Sequence, residues 1–175
     1  YGAFFANLVI VHDPGTLNLD KDQSDLSWLK RMIRPAGGTF CVALSQDLPS
    51  PVLTQLNESF QEFSVSMRKE AGRGWFMATR GELVGAGQWS HQYGGADNSS
   101  CSQDALVHGE LGVLWWGDPG PRPMPDRGPR NPAPISVNGR LFIQGDRVLF
   151  GLDSYNGTIL WNYFSPEMRR ANLPR

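Results

Sequence analysis

Gly139 to Tyr163 reads GRLFIQGDRVLFGLDSYNGTILWNY, and this stretch decides how the C-terminal half of the chain is read. Short apolar runs, Arg140–Gln144, Val148–Leu152 and Thr158–Tyr163, follow one another with almost nothing between them. A further run, Pro134–Val137, precedes them, and Gly139, Gly145 and Gly157 punctuate the series. Strands this short, separated by glycine turns, predict antiparallel, turn-dense β structure. Within the stretch, Asn156-Gly157 supplies the positive-φ positions of a tight turn. Asp153, just ahead of it, is placed to accept turn N–H bonds. Trp161 offers a large ring that can dock against a neighbouring layer.

Moving outward, Gly117–Pro134 (GDPGPRPMPDRGPRNPAP) is too rich in proline for a helix or a central strand. Arg122, Arg127 and Arg130 lie in it; they suit either an anion or the loop's own carbonyls. Before it, Gly112–Trp116 (GVLWW) predicts a strand that turns Trp115 and Trp116 to opposite faces. His91, in GQWSHQYGG, either lines a site with Trp89 and Tyr93 or packs as a structural histidine, and His108 in LVHGEL is a lesser candidate. No carboxylate–histidine–nucleophile set is readable from the spacing.

The first eighty or so positions have a different character. FFANLVIV, Phe4–Val11, is a continuous apolar run ending at His12-Asp13-Pro14-Gly15. Ser24 or Asp25 then caps a predicted helix bearing Leu26, Trp28, Leu29, Met32 and Ile33, which Pro35 and Gly37-Gly38 terminate. Gly38–Leu44 is again apolar throughout. Strand, helix and strand in this order predict parallel strands covered on both faces. A short helix opens at Pro51, and Phe63, Val65 and Met67 alternate with polar residues into a hairpin that returns through Trp75–Ala78. Open α/β sheets bind ligands outside the C-terminal ends of their strands, which singles out His12 as a base and Asp13 as an orienting group. The competing reading is that both simply begin a solvated loop.

Composition excludes some functions. Lys and Arg number 16 against 17 Asp and Glu, interspersed, so no basic surface for nucleic acid is implied. Cys41 lies in an apolar run and Cys101 in a polar loop, and neither belongs to a metal-ligating spacing, so no metal site is expected. No apolar run is long enough to span a bilayer. GxGxxG and phosphate-cradling loops are missing. Asn57, Asn98 and Asn156 fit the glycosylation triplet, a pattern common by chance.

The repeat Gly139–Tyr163 resembles that of pyrroloquinoline-quinone-like (PQQ-like) β-propellers, including quinoprotein alcohol dehydrogenases. The matching residues are Gly139, Leu141–Ile143, Val148–Leu152, Asp153, Asn156, Gly157 and Trp161. WSHQYGGADNSSCSQD, GVLWWGDPGP and DRGPRNPAPISVNGRLFIQG, with LDSYNGTILW, resemble large planctomycete-type bacterial propeller-repeat proteins, in some of which a methyltransferase-like domain precedes the propeller. NLVIVHD, WLKRMIRPAGGTFCVAL and FSVSMRKEAGRGWFMATRG resemble the fourth strand, the helix with fifth strand, and the terminal hairpin of a class I methyltransferase.

These resemblances imply a mixed α/β and all-β chain. Residues 1–83 would form the C-terminal half of a doubly wound, methyltransferase-like sheet, and 84–175 an incomplete β-propeller segment with one repeat at 134–165. They imply a fragment of a multidomain bacterial protein with a structural or interaction role, in the cytoplasm or cell envelope, and no activity of its own. The S-adenosylmethionine loop would precede Tyr1, so no cofactor is expected for this chain even if its parent uses S-adenosylmethionine. Expected partners are the parent's remaining blades and domain, or a protein or envelope partner, with no nucleic acid and no transmembrane segment. Part of a methyltransferase fused to a propeller is the alternative, and a quinone-dependent dehydrogenase fragment a second one.

Overall fold

The computed structural model describes residues 2–17, 25–44, 50–120 and 132–168. They fall into two compact units, Tyr1–Glu82 and Leu83–Arg175.

In the first unit, strand β1 (Leu8–Val11) is followed by a 3-10 turn at Pro14–Thr16 and helix α1 (Asp25–Met32). Strand β2 (Thr39–Leu44), helix α2 (Ser50–Ser59) and the hairpin β3 (Ser64–Glu70) and β4 (Arg73–Thr79) complete it. The four strands lie in the order β1-β2-β4-β3. Asp25 in the first turn of α1, and Lys30 with Arg31 in its last, complement the helix dipole. Arg80 donates from Nη1 to the carbonyls of Lys30 (3.1 Å) and Ile33 (2.9 Å), serving groups that the helix end leaves over. The alternative cap Ser24 lies outside the described residues.

One apolar cluster holds this unit together. Leu26, Leu29 and Ile33 from the α1 side, and Leu56 and Phe60 from the α2 side, pack with Phe40, Val42, Phe76 and Ala78 of the sheet. The register pairs Phe40 with Ala78 and Val42 with Phe76, so these four residues share one face. Phe60 stacks on Phe40 with ring centroids 4.6 Å apart and meets Phe63 edge-on at 5.2 Å.

The expected doubly wound, methyltransferase-like sheet is not found. Such a sheet carries helices on both faces of a mostly parallel array. Here β1 and β2 form the one parallel pair among the described strands, and β2-β4 and β3-β4 are antiparallel. Both helices contribute to the same cluster on the same face. The opposite face carries Leu8 and Ile10 of β1, which are 54% and 58% exposed. A continuous apolar run reads alike whether its strand is buried on both sides or stands at an edge, and β1 stands at an edge. The run is also shorter as a strand than its composition predicts. Phe4, at φ 64°, and Ala6 donate backbone bonds to Arg31 and Met32 at the end of α1 instead of extending the ladder. Val65 and Met67, expected to face the core, are exposed because β3 is the other edge.

The second unit has one sheet among its described residues. Strands β5 (Ile135–Val137), β6 (Arg140–Gln144), β7 (Val148–Asp153) and β8 (Ile159–Phe164) pair antiparallel in sequence order. Asn138 and Gly139, at φ 50° and 70°, make the tight β5–β6 turn. This sheet is open, and a lone four-stranded sheet does not make a propeller, closed or incomplete; that part of the expected fold class is corrected as well. The strand expected at Gly112–Trp116 is not formed: the segment has no ladder partner among the described residues. Ahead of the sheet, Trp89 exchanges backbone bonds of 2.8 and 2.9 Å with Ser136 and so covers part of the outer edge of β5.

Candidate functional site

Two places bring the sequence-derived candidates together, one in each unit. The first is the C-terminal end of β1. Asp13, in extended conformation, caps the 3-10 turn, its Oδ1 accepting from the Gly15 N–H at 2.8 Å, and the Thr16 hydroxyl donates to the Asp13 carbonyl at 2.7 Å. Asp13 is thus built into a local turn, the arrangement that Asp ahead of Pro-Gly favours. His12 lies beside Arg73 at the start of β4, with Arg73 Nη1 donating to His12 Nε2 at 2.7 Å. A guanidinium only donates, so this bond occupies the Nε2 lone pair and leaves the ring proton on Nδ1. A histidine engaged in this way does not present Nε2 as a base. Two hollows flank the pair: one of about 460 Å³ walled by Ile10, Leu17, Trp28 and Leu29, and one of about 240 Å³ reaching Leu44 and Arg73. Arg73 is a site residue that sequence reading passed over, since the hairpin alone carries it to the end of β1.

The second place is the β7–β8 turn. Asp153 is fully buried, and its Oδ1 accepts from the Tyr155 N–H at 3.0 Å while Oδ2 lies 3.9 Å from Arg140 Nη1. Its backbone carbonyl accepts from Gly157 N (2.9 Å), and its backbone N–H donates to Thr158 O (2.9 Å). Asn156 Oδ1 accepts from Thr158 N at 3.1 Å, and Ser154 N donates to the Gly139 carbonyl at 3.1 Å, tying this turn to the β5–β6 turn. Gly157 has φ 73°, and a Cβ there would run into the Trp115 ring. That indole donates its Nε1 proton to the Ser154 carbonyl at 2.9 Å. Trp161 stands opposite Gly151 in the ladder, its ring lying where a Cβ of Gly151 would project, 6.0 Å from the Phe142 ring. Trp161 therefore rests on its own sheet and keeps 43% of its surface exposed. Gly139, Asp153, Asn156 and Gly157 meet at a hydrogen-bonded turn covered by the Trp115 ring, whereas Trp161 lies over Gly151 within β7. Trp115, which supplies that covering, was legible only as an aromatic in a predicted strand.

The remaining candidates scatter. His91 sits in a tight turn closed by reciprocal backbone bonds with Gly94, and its Nδ1 lies 2.9 Å from the hydroxyl of adjacent Ser90. Arg122, Arg127 and Arg130 lie outside the described residues. Cys41 is buried, and burial pushes its thiol pKa up, which makes it a poor nucleophile; Cys101 is exposed. Among the described residues no group of three or more His, Cys, Asp or Glu is disposed to hold a metal. None of their helices is long and apolar enough to cross a membrane.

Asp104 emerges from the structure alone. Its carboxylate accepts from Gly87 N (2.7 Å), Leu106 N (2.8 Å) and Val107 N (2.7 Å). The Gly87 bond first, then those of Val107 and Leu106, hold its pKa below the ordinary carboxylate range, and His108 adds a small pull in the same direction. The order Asp-Ala-Leu-Val permits such an Asx turn, but nothing in the sequence points to Gly87 as the third donor.

No protein-family model, curated protein or solved structure matches the chain.

Proposed function

We propose that the chain does structural or interaction work, as a repeat-bearing part of a larger β-rich protein, and does not catalyse a reaction by itself. The observation that carries this reading is strand β8. All of its residues, Ile159 to Phe164, are exposed although five of the six are aliphatic or aromatic. An uncharged apolar strand at a sheet edge is the kind of surface that soluble proteins normally cover. The turn that leads into β8 is held by backbone bonds, a buried Asp153 and the Trp115 indole. At the end of β1, by contrast, Asp13 and His12 are engaged by Gly15 and Arg73.

The test uses a photoreactive amino acid at Tyr163, in the chain expressed in its own cell. Specific crosslinks to a β-rich polypeptide, lost when Leu160 is changed to Asp, are the expected result. If position 163 gives no crosslink and the purified chain binds S-adenosylmethionine or a quinone in calorimetry, the reading is wrong.

A further inference from the structure

Residues Leu111 to Trp116, LGVLWW, form the most apolar exposed segment of the second unit. Val113 is 80% and Trp116 90% exposed. Among the described residues, the backbone of 109–116 makes no hydrogen bond. The segment is nonetheless anchored: Trp115 packs over Gly157 and donates to the Ser154 carbonyl, fixing one end against the β7–β8 turn. Unbonded backbone, β-forming side chains and a fixed anchor describe a strand without a sheet.

The molecule also has sheet edges without strands. Among the described residues β1, β3 and β8 are edges, and β5 is partly covered by Trp89. β3 carries Arg68, Lys69 and Glu70, charges that discourage pairing. β1 has four residues, whereas β8 has six and no charge, matching the six uncharged residues of 111–116. We infer that 111–116 of one copy adds as a fifth strand to the β8 edge of a second copy, and that the exchange is reciprocal. Reciprocity follows from size. A stable specific interface needs about 1,200 Å² or more in total, and two six-residue strands related by a two-fold axis bury twice the area of one. Main-chain bonds supply the affinity, and the alternation of Leu111, Val113 and Trp115 against Gly112, Leu114 and Trp116 sets the register. The inference rests on the interaction reading above and names its partner as a second copy of the chain.

Sedimentation velocity of the whole chain, under reductant so that Cys101 forms no bridge, tests it. Wild-type protein should shift from monomer to dimer as concentration rises. Val113→Pro removes an N–H from a position that is exposed and, among the described residues, unbonded, so it should abolish the dimer while leaving circular dichroism unchanged. In a mixture of light and isotopically heavy protein, a photoreactive residue at Val113 should give light–heavy crosslinks within 159–164. A chain that stays monomeric, a Val113→Pro variant that dimerises as wild type does, or light–heavy crosslinks outside β8 would each overturn the inference. A monomeric chain that still crosslinks from Tyr163 to another polypeptide in the cell overturns this inference alone and leaves the interaction reading standing.

Discussion

Among the described residues both sheets have four strands, yet the first is backed by two helices and the second by none. The first buries Phe40, Phe60 and Phe76 completely and holds its strands by side-chain packing. The second completely buries only Leu152 among its strand hydrophobics, and relies on its β7–β8 turn, with Asp153 beneath it and the Trp115 indole over Gly157. Stability that comes from packing is spread over a cluster, whereas stability that comes from turns is concentrated at a few positions. Substitutions should separate the two modes.

The largest effect is expected at Phe60, which touches Phe40 by stacking and Phe63 edge-on. Phe60→Ala leaves a cavity between α2 and the sheet and should cost about 3–5 kcal/mol. Denaturant unfolding measures the loss, and hydrogen exchange should show reduced protection along Thr39–Leu44. A cost near that of an ordinary surface change, within about 0.5 kcal/mol, would mean that the aromatic cluster does not hold this sheet.

Gly157→Ala comes next. It places a side chain at φ 73° and drives it into the Trp115 ring, for about 1–3 kcal/mol. Trp115→Phe keeps a ring over Gly157 but loses the bond to Ser154, and should cost about 0.5–1.5 kcal/mol. Thermal melts followed by near-ultraviolet circular dichroism compare the pair. Should Gly157→Ala be neutral, the turn relaxes freely and the contrast between packing and turn chemistry fails.

The same contrast explains what could be read without a structure. β5 to β8 fall where glycine and Asn-Gly punctuation predicts them, because that signal is local and each turn type demands its own residues. Helix α1 is equally plain from the spacing of Leu26, Leu29 and Ile33. Layering was not legible: which faces a sheet has covered depends on where α2 lands, and the apolar run before His12 looks the same at an edge as in the middle. The fold class went wrong at that step. The aromatic-rich GVLWW misled in the opposite direction, since strand propensity cannot say whether a partner edge exists within the chain. At the end of β1, His12 and Asp13 were visible, but Arg73 arrives through the hairpin from sixty-one positions away.

Asp104 offers a smaller, pH-dependent test in the loop that precedes GVLWW. Its pKa is depressed in the folded state by the three N–H donors, with Gly87 first. The folded loop therefore binds fewer protons than the unfolded one across the titration. The contribution is fully present above the unfolded value and is lost as pH falls through the lower, folded value. Hydrogen exchange at Gly87, Leu106 and Val107 should stay slow at mildly acidic pH and quicken at the acid end. Asp104→Asn should exchange faster at neutral pH and lose that acid step. Protection that is independent of pH in the wild-type chain would show that the loop is held by something other than this carboxylate.

The smallest effect is expected at the residue that looks most prominent in the sequence. Trp161 faces Gly151, which has no side chain, and leaves nearly half its surface to solvent. Its indole covers a glycine and touches the flank of Phe142; it fills no cavity. Trp161→Ala should therefore cost about 0.2–1 kcal/mol, the scale of a cross-strand pair, against several times that for Phe60→Ala. Equilibrium unfolding of the purified chain at low concentration, where any association is dissociated, measures this cost alone. If Trp161→Ala proves as damaging as Phe60→Ala, the second sheet has a packed core of its own around this ring. The exposure of β8 would then no longer mark it as a surface kept for a partner.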